Sequence, residues 1–410
     1  MQIRRQQTLK NILGLCAFGA ALLLSGCHSS SGGGGNSPMP VSSFPERITF
    51  AGVGVHGIYD PSVALDPGSG RLWMSYSAVE PSVSWPAQNI DVVATRLAYS
   101  DNDGGTWTDS GTIVSNFLDV NLPLTPPNDA GTWVNEVSQL IYDPGASANQ
   151  RWKILWHRYL LINGVVPDIA RRFEHGWIAM KMAATPEGLA AAPEIKLFAG
   201  NLYDSGNDTA NGFSKSPLGG APLLQLDTLD PALNGCVVFT EPGMYASNGA
   251  LYVSLQCEHF VGSNRDRLIV LLKCASPCNT ASAASWSYLG TVLRKSDATA
   301  FGFDSGFAAS GMFASAGSVY LVVTPAQTSG APWSDYYSGC RVFKFSDIDS
   351  ALLQTTGSQL TLMGSVDGTS GSFNGACSYH PSTNKSGMFY SELDTSITDK
   401  FQIFMSRTNF

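Results

Sequence analysis

The sequence predicts an all-β chain: a five-bladed β-propeller over residues 46–410, with four antiparallel strands per blade and an N-terminal strand closing the last blade. Three observations carry this expectation. First, 44% of the 410 residues are apolar and only 14% are charged, with 42 Gly and 22 Pro spread along the chain. That composition suits short strands joined by tight turns, and it excludes coiled coils, helical solenoids and charged disordered chains. Second, a strand–turn–strand pattern recurs five times. Third, one apolar strand, Arg47–Val53, stands before the first copy with no partner of its own.

The copies follow in order. Asp60–Leu65 turns at 66–70 into Leu72–Ser77, and Glu136–Tyr142 turns into Trp152–His157. Glu241–Ala246 turns at Asn248-Gly249 into Leu251–Ser254, Met312–Ala314 turns at Gly317 into Val319–Val323, and Gly375–Tyr379 turns into Met388–Ser391. A third strand follows each: Val93–Tyr99, Trp177–Met182, Leu268–Lys273, Val342–Phe345 and Gln402–Met405. Fourth strands are legible at Trp107–Val114, Ile195–Phe198, Trp286–Leu293 and Leu362–Val366. The fifth copy lacks one. Arg47–Val53 placed there closes the ring and leaves no open sheet edge.

Residues 1–26 read as an export signal. Arg4, Arg5 and Lys10 precede an apolar run, Ile12–Leu24, that is short for a membrane span. The run ends in Leu24-Ser25-Gly26-Cys27, which resembles the lipobox of bacterial lipoproteins. The resemblance implies that Cys27 carries lipid and becomes the first residue. Residues 27–45 form a Gly/Ser-rich tether. His28 stands where, in a Gram-negative cell, an Asp would favour the inner membrane, so a lipid-anchored position in the cell envelope is expected, at the outer membrane if the cell is Gram-negative. The net charge is −8, and without the three cations of the leader it is −11, which disfavours nucleic acid as a partner.

Six cysteines remain beyond Cys27: Cys236, Cys257, Cys274, Cys278, Cys340 and Cys377. An even number in an exported chain points to disulfides. Cys274 and Cys278 are close enough to staple one turn, and no His sits at metal-ligand spacing around them, so no metal is expected there. No cofactor is expected, although propellers of this type can hold a structural cation in the central channel, and the chain is expected to be a monomer.

Strand direction alternates within a blade, so the long connections 79–92, 115–135, 159–176, 199–235, 259–267, 294–308 and 325–341 share the face where inner strands begin. Long loops on a rigid scaffold carry function. These bear Trp85, Trp133, Arg171, Arg172, His175, Arg265, Trp333, Tyr336 and Tyr337 as candidate sugar-stacking and hydroxyl-binding groups. His157 and Gln256 fall at equivalent places near the ends of second strands and are candidates to line the same cup. Packing within loops or strands is the competing role for each of them.

Aligned at their first position, the inner strands read Asp60, Glu136, Glu241, Ala309 and Asn374. Three acids from consecutive blades thus converge on the axis, which is costly unless they are paired or used. Bonding to neighbouring backbone amides, as blade-to-blade ties, is the alternative use.

The architecture with Asp60-Pro61 in blade one and Glu241-Pro242 in blade three resembles the furanosidase-type glycoside hydrolases, the arabinanase, β-xylosidase, invertase and inulinase families. Glu136 departs from their pattern, which has Asp in an Arg-Asp-Pro motif. Separately, Ser100-Asp101-Asn102-Asp103-Gly104-Gly105-Thr106-Trp107 resembles the Asp-box of sialidases and other propellers, with Asn102 where Asp is usual. That motif folds a turn. A sialidase-like reading would use Arg171, Arg172 or Arg265 to grip a carboxylate, but it implies six blades.

The furanosidase resemblance implies glycosidic-bond cleavage in a glycan. Asp60 is then the base or nucleophile, Glu241 the general acid and Glu136 the modulator of its pKa. A surface lipoprotein that binds glycan or protein without catalysis is the alternative of a different class.

Overall fold

The computed structural model describes residues 46–50, 57–81, 91–121, 130–162, 176–200, 222–261, 264–328, 335–367, 374–381, 387–394 and 400–407. Residues 1–45, with the leader, Cys27 and the tether, lie outside them.

Five sheets follow one another, each built from consecutive antiparallel strands. Blade one comprises Ile58–Leu65, Leu72–Pro81, Asp91–Ser100 and Thr106–Val114, and blade two Gly131–Tyr142, Trp152–Ile162, Gly176–Ala183 and Ile195–Ala199. Blade three comprises Cys236–Ser247, Ala250–Val261, Asn264–Cys274 and Trp286–Leu293. Blade four comprises Phe307–Ser315, Ser318–Thr328, Cys340–Asp347 and Leu362–Val366, and blade five Asn374–Tyr379, Gly387–Asp394 and Lys400–Arg407.

Because successive side chains of a strand point to opposite faces, each sheet feeds two seams. Trp156 packs toward blade one with Trp73, Trp133 and Trp177, while its neighbour Leu155 packs toward blade three with Leu255 and Val270. Each of the five blade-to-blade seams holds its own apolar cluster. Small hydroxyls tie the seams nearer the axis. Ser138 Oγ bonds Ser75 Oγ at 2.9 Å, Ser254 Oγ bonds Ser310 Oγ at 2.8 Å, and Leu140 N donates to Ser62 Oγ at 2.9 Å. Cys236–Cys257 joins the first two strands of blade three, Cys274–Cys278 closes a turn, and Cys340–Cys377 links blades four and five.

The closure differs in one respect from the expected strand. Glu46 and Arg47 do pair with Met405 and Phe404 of blade five. Thr49–Phe50 then crosses to blade one and pairs in parallel with Thr106–Trp107. The segment is therefore a staple over the last seam. Ile48, 5% exposed and packed in the cluster between blades five and one, draws the chain across. Residues 51–53 of that expected strand lie outside the described residues. At Gly57 the backbone passes so close to Phe401 that a Cβ would lie 2.2 Å from its carbonyl oxygen, and φ there is +109°.

The connections are shorter than the sequence suggested, because second strands run on to Pro81, Ile162, Val261 and Thr328. The expected 259–267 loop is mostly ladder, with Glu258 directly opposite Arg267 and Phe260 opposite Arg265. Opposite charges facing each other across two strands favour continued pairing. The expected 115–135 loop likewise contains the strand Phe117–Asp119 and the start of blade two's inner strand.

Candidate active site

Every inner strand breaks its ladder at the same level. The register jumps between Tyr59 and Ser62, Glu136 and Gln139, Thr240 and Gly243, Ala308 and Gly311, and Gly375 and Ser378. The first unpaired residue of each bulge is left-handed: Asp60 (φ 52°), Val137 (52°), Glu241 (54°), Ala309 (45°) and Ala376 (52°). Such conformations are unfavourable for residues with a Cβ and persist only where surrounding structure enforces them. Bulges re-aim side chains and are common next to active sites.

This level corrects the alignment of the inner strands. Val137, not Glu136, is the equivalent of Asp60, and Ala376, not Asn374, holds the place in blade five. Glu136 stands one residue earlier, level with Tyr59. The three acids still meet. The charges of Glu241 and Glu136 both act on Asp60, and that of Glu136 acts on Glu241.

Asp60 is 5% exposed. Its Oδ2 accepts from Ser77 Oγ at 3.0 Å, and the Val137 amide also donates to its carboxylate. Its own amide, freed by the bulge, donates to Ser391 Oγ of blade five at 2.8 Å. Glu241 is 9% exposed, and its Oε1 accepts from Tyr337 Oη at 3.2 Å. Glu136 is half-buried, and its Oε2 accepts from Tyr59 Oη at 2.5 Å.

Burial first, and the neighbouring carboxylates second, push both Asp60 and Glu241 upward, Asp60 well above the usual carboxylate range and Glu241 to about 7. Asp60 and Glu241 act on each other from buried positions, so these two titrate as a pair.

His157 faces Glu136 across the ladder and shares a 2.9 Å hydrogen bond between its Nδ1 and Thr240 Oγ1. Burial holds it neutral, down to about 3. Gln256 faces Thr240, the residue before Glu241. Both stand on second strands opposite the start of a bulge.

Trp133 is not a loop residue. It is 2% exposed, 4.8 Å from Trp177 in the seam between blades one and two, because strand pairing already begins at Gly131. Arg265 and Tyr336 are strand residues by backbone, paired with Phe260 and Gln327. Trp85, Arg171, Arg172, His175 and Trp333 lie outside the described residues.

Sequence reasoning missed Tyr59, Ser77, Ser391, Glu258 and Arg267. The available signal for the last two was a charge within an otherwise apolar strand. Among the described residues, no group of three His, Cys, Asp or Glu is arranged to hold a metal ion.

No family model matches the chain, and no curated protein matches it. Among solved structures it is similar to a thermostable family-43 glycoside hydrolase, at 13% identity and a TM-score of 0.49 over 88% of this chain and 92% of the other. It is similar to the GH32 β-fructofuranosidase of Bombyx mori, at 11% identity and a TM-score of 0.47 over 85% of this chain, which spans 57% of that enzyme. It is also similar to an exo-1,5-α-L-arabinanase from a bovine ruminal metagenomic library, at 10% identity and a TM-score of 0.47 over 86% and 94% of the two chains.

Proposed function

We propose that the chain is a glycoside hydrolase acting through Asp60, Glu241 and Glu136 on a glycan. The observation that carries this reading is the grouping of three acids about the ring, Asp60 and Glu241 at their bulges and Glu136 one residue before its own, with Glu241 keeping its proton up to about 7.

Cleavage needs one carboxyl that gives a proton to the leaving oxygen and one carboxylate that activates water or attacks the anomeric carbon. Glu241 suits the first role. Asp60 suits the second, because the Ser77 hydroxyl and the Val137 amide both favour its ionised form. Glu136, fixed by Tyr59, acts on both, and its repulsion adds to burial in raising Glu241. His157 stays neutral and serves as a hydrogen-bonding wall.

The test is release of reducing sugar from arabinan, xylan and fructan by wild type, Asp60→Asn and Glu241→Gln. No turnover on any of them, with the variants binding glycan as well as wild type does, would overturn the enzyme. The second reading, a binding protein without catalysis, draws on the same Ser77 and Val137 bonds, which also tie blade one to blade two.

The chain is further proposed to work in the cell envelope, tethered through a lipid on Cys27. Three disulfides among the described residues support an oxidising compartment. Incorporation of labelled palmitate, lost in Cys27→Ser together with membrane association, is the expected result.

A further inference from the structure

Five second-strand residues face the bulges: Ser77 opposite Tyr59, His157 opposite Glu136, Gln256 opposite Thr240, Thr324 opposite Ala308, and Ser391 opposite Gly375. Four of them spend their polar atoms on the ring itself. Ser77 bonds Asp60 and the Val137 amide, and His157 bonds Thr240. Thr324 accepts from the Ala376 amide at 2.9 Å, and Ser391 accepts from the Asp60 amide.

Gln256 breaks the pattern. Its Nε2 donates to Glu258 Oε1 at 2.5 Å, but its Oε1 is buried without a hydrogen-bond partner, on a residue only 3% exposed. A buried acceptor left unmade is unfavourable and calls for a reason.

The orientation of this amide is not free. Glu258 is held by Arg267, whose Nε lies 2.9 Å from the same Oε1, and both side chains are buried. Turning the amide over would press its oxygen against that carboxylate. Arg267 and Glu258 therefore lock the nitrogen of Gln256 onto the carboxylate and leave the oxygen as a bare acceptor. Gln256 lies opposite Thr240, the residue before Glu241, which puts it at the level of the proposed acid.

We infer that Gln256 is a specificity residue: its Oε1, fixed by the Arg267–Glu258 pair, accepts a hydrogen bond from a free hydroxyl of the sugar bound at the three acids. This rests on the glycan reading above and deepens it, by requiring an unsubstituted hydroxyl donor at one place on the sugar ring. A site built around a polar partner rejects the analogue that lacks it far more strongly than an apolar pocket rejects a size change.

The experiment measures binding rather than turnover. Methyl α-L-arabinofuranoside, methyl β-D-xylopyranoside and methyl β-D-fructofuranoside, each with its monodeoxy analogues, are titrated into wild type, Gln256→Met and Gln256→Asn by ligand-observed NMR. Melting temperatures establish that both variants fold. For the glycoside that binds, one deoxy analogue is expected to bind wild type at least ~10-fold more weakly than its parent. Both variants should bind that pair alike, Met because it lacks the acceptor and Asn because it withdraws it by one methylene. A folded variant that keeps the ~10-fold preference overturns the inference and leaves the hydrolase reading standing. Equal binding of every deoxy analogue to wild type does the same. A wild type that binds none of the three glycosides and cleaves no glycan removes both.

Discussion

Replacing Glu241 by Gln should stabilise the protein at neutral and alkaline pH while abolishing catalysis. In the folded protein burial and Glu136 raise this carboxyl from 4.5 to about 7. A folded pKa above the unfolded one means that the folded state binds more protons between those values. Wild-type stability is therefore whole below about 4.5 and declines as pH rises through about 7. At ~1.4 kcal/mol per pH unit, the loss is about 3 kcal/mol. Gln copies the protonated carboxyl and does not titrate, and it still accepts from Tyr337. The two proteins should thus melt together at pH 4. By pH 8 the variant should melt about 4 °C higher, given a domain of this size. Removing Glu241 also relieves Asp60 of a repelling neighbour, which widens the gap in the same direction. Melting curves of both proteins across pH 4–8 read this directly. A variant that melts below wild type at pH 8, or a difference that stays flat with pH, would refute the reasoning. It would show instead that Glu241 is an ionised structural carboxylate stabilised by Arg267.

The remaining predictions use other parts of the site and frame. Asp60→Asn should lower turnover by ~10³-fold or more with little change in glycan affinity, measured as kcat and KM on the best glycan; a loss confined to KM would place Asp60 in binding alone. Activity should fall as pH rises through about 7, where Glu241 loses its proton. Tyr337→Phe removes a donor that favours ionised Glu241, so that alkaline limb should move upward in a pH–rate profile; a downward move contradicts the assignment. Replacing Cys340 and Cys377 by Ser should cost about 4 kcal/mol, and replacing Cys274 and Cys278 about 2 kcal/mol, because the first pair closes 37 residues and the second only 4. Denaturant midpoints test that order.

The blades were legible because apolar alternation and turn residues recur in a fixed order, and because an unpartnered strand at one end matched a missing one at the other. The level of the site was less so. The bulge is a backbone event, and a left-handed position usually announces itself by Gly, Asn or Asp. Here Val137, Ala309 and Ala376 occupy it, so aligning acids with acids put Glu136 one residue out of place. The partners of the acids were hidden for a different reason. Tyr59 reaches Glu136 across 77 residues and Tyr337 reaches Glu241 across 96, through contacts that exist only once blades are side by side. Trp133 was misplaced because an aromatic before a strand reads as loop until the ladder is seen to start at Gly131.

The staple made by Glu46–Phe50 also sets an order of events. Its first half is templated by Lys400–Arg407 of blade five, and its second half by a strand of blade one made long before. A nascent chain can stack its blades one after another, but it cannot lock them until blade five is made. Until then the staple must remain unclaimed on one side. Deleting Glu46–Phe50 or deleting Lys400–Arg407 should therefore give the same outcome: an open arc of sheets with a raw edge, prone to join its neighbours edge to edge.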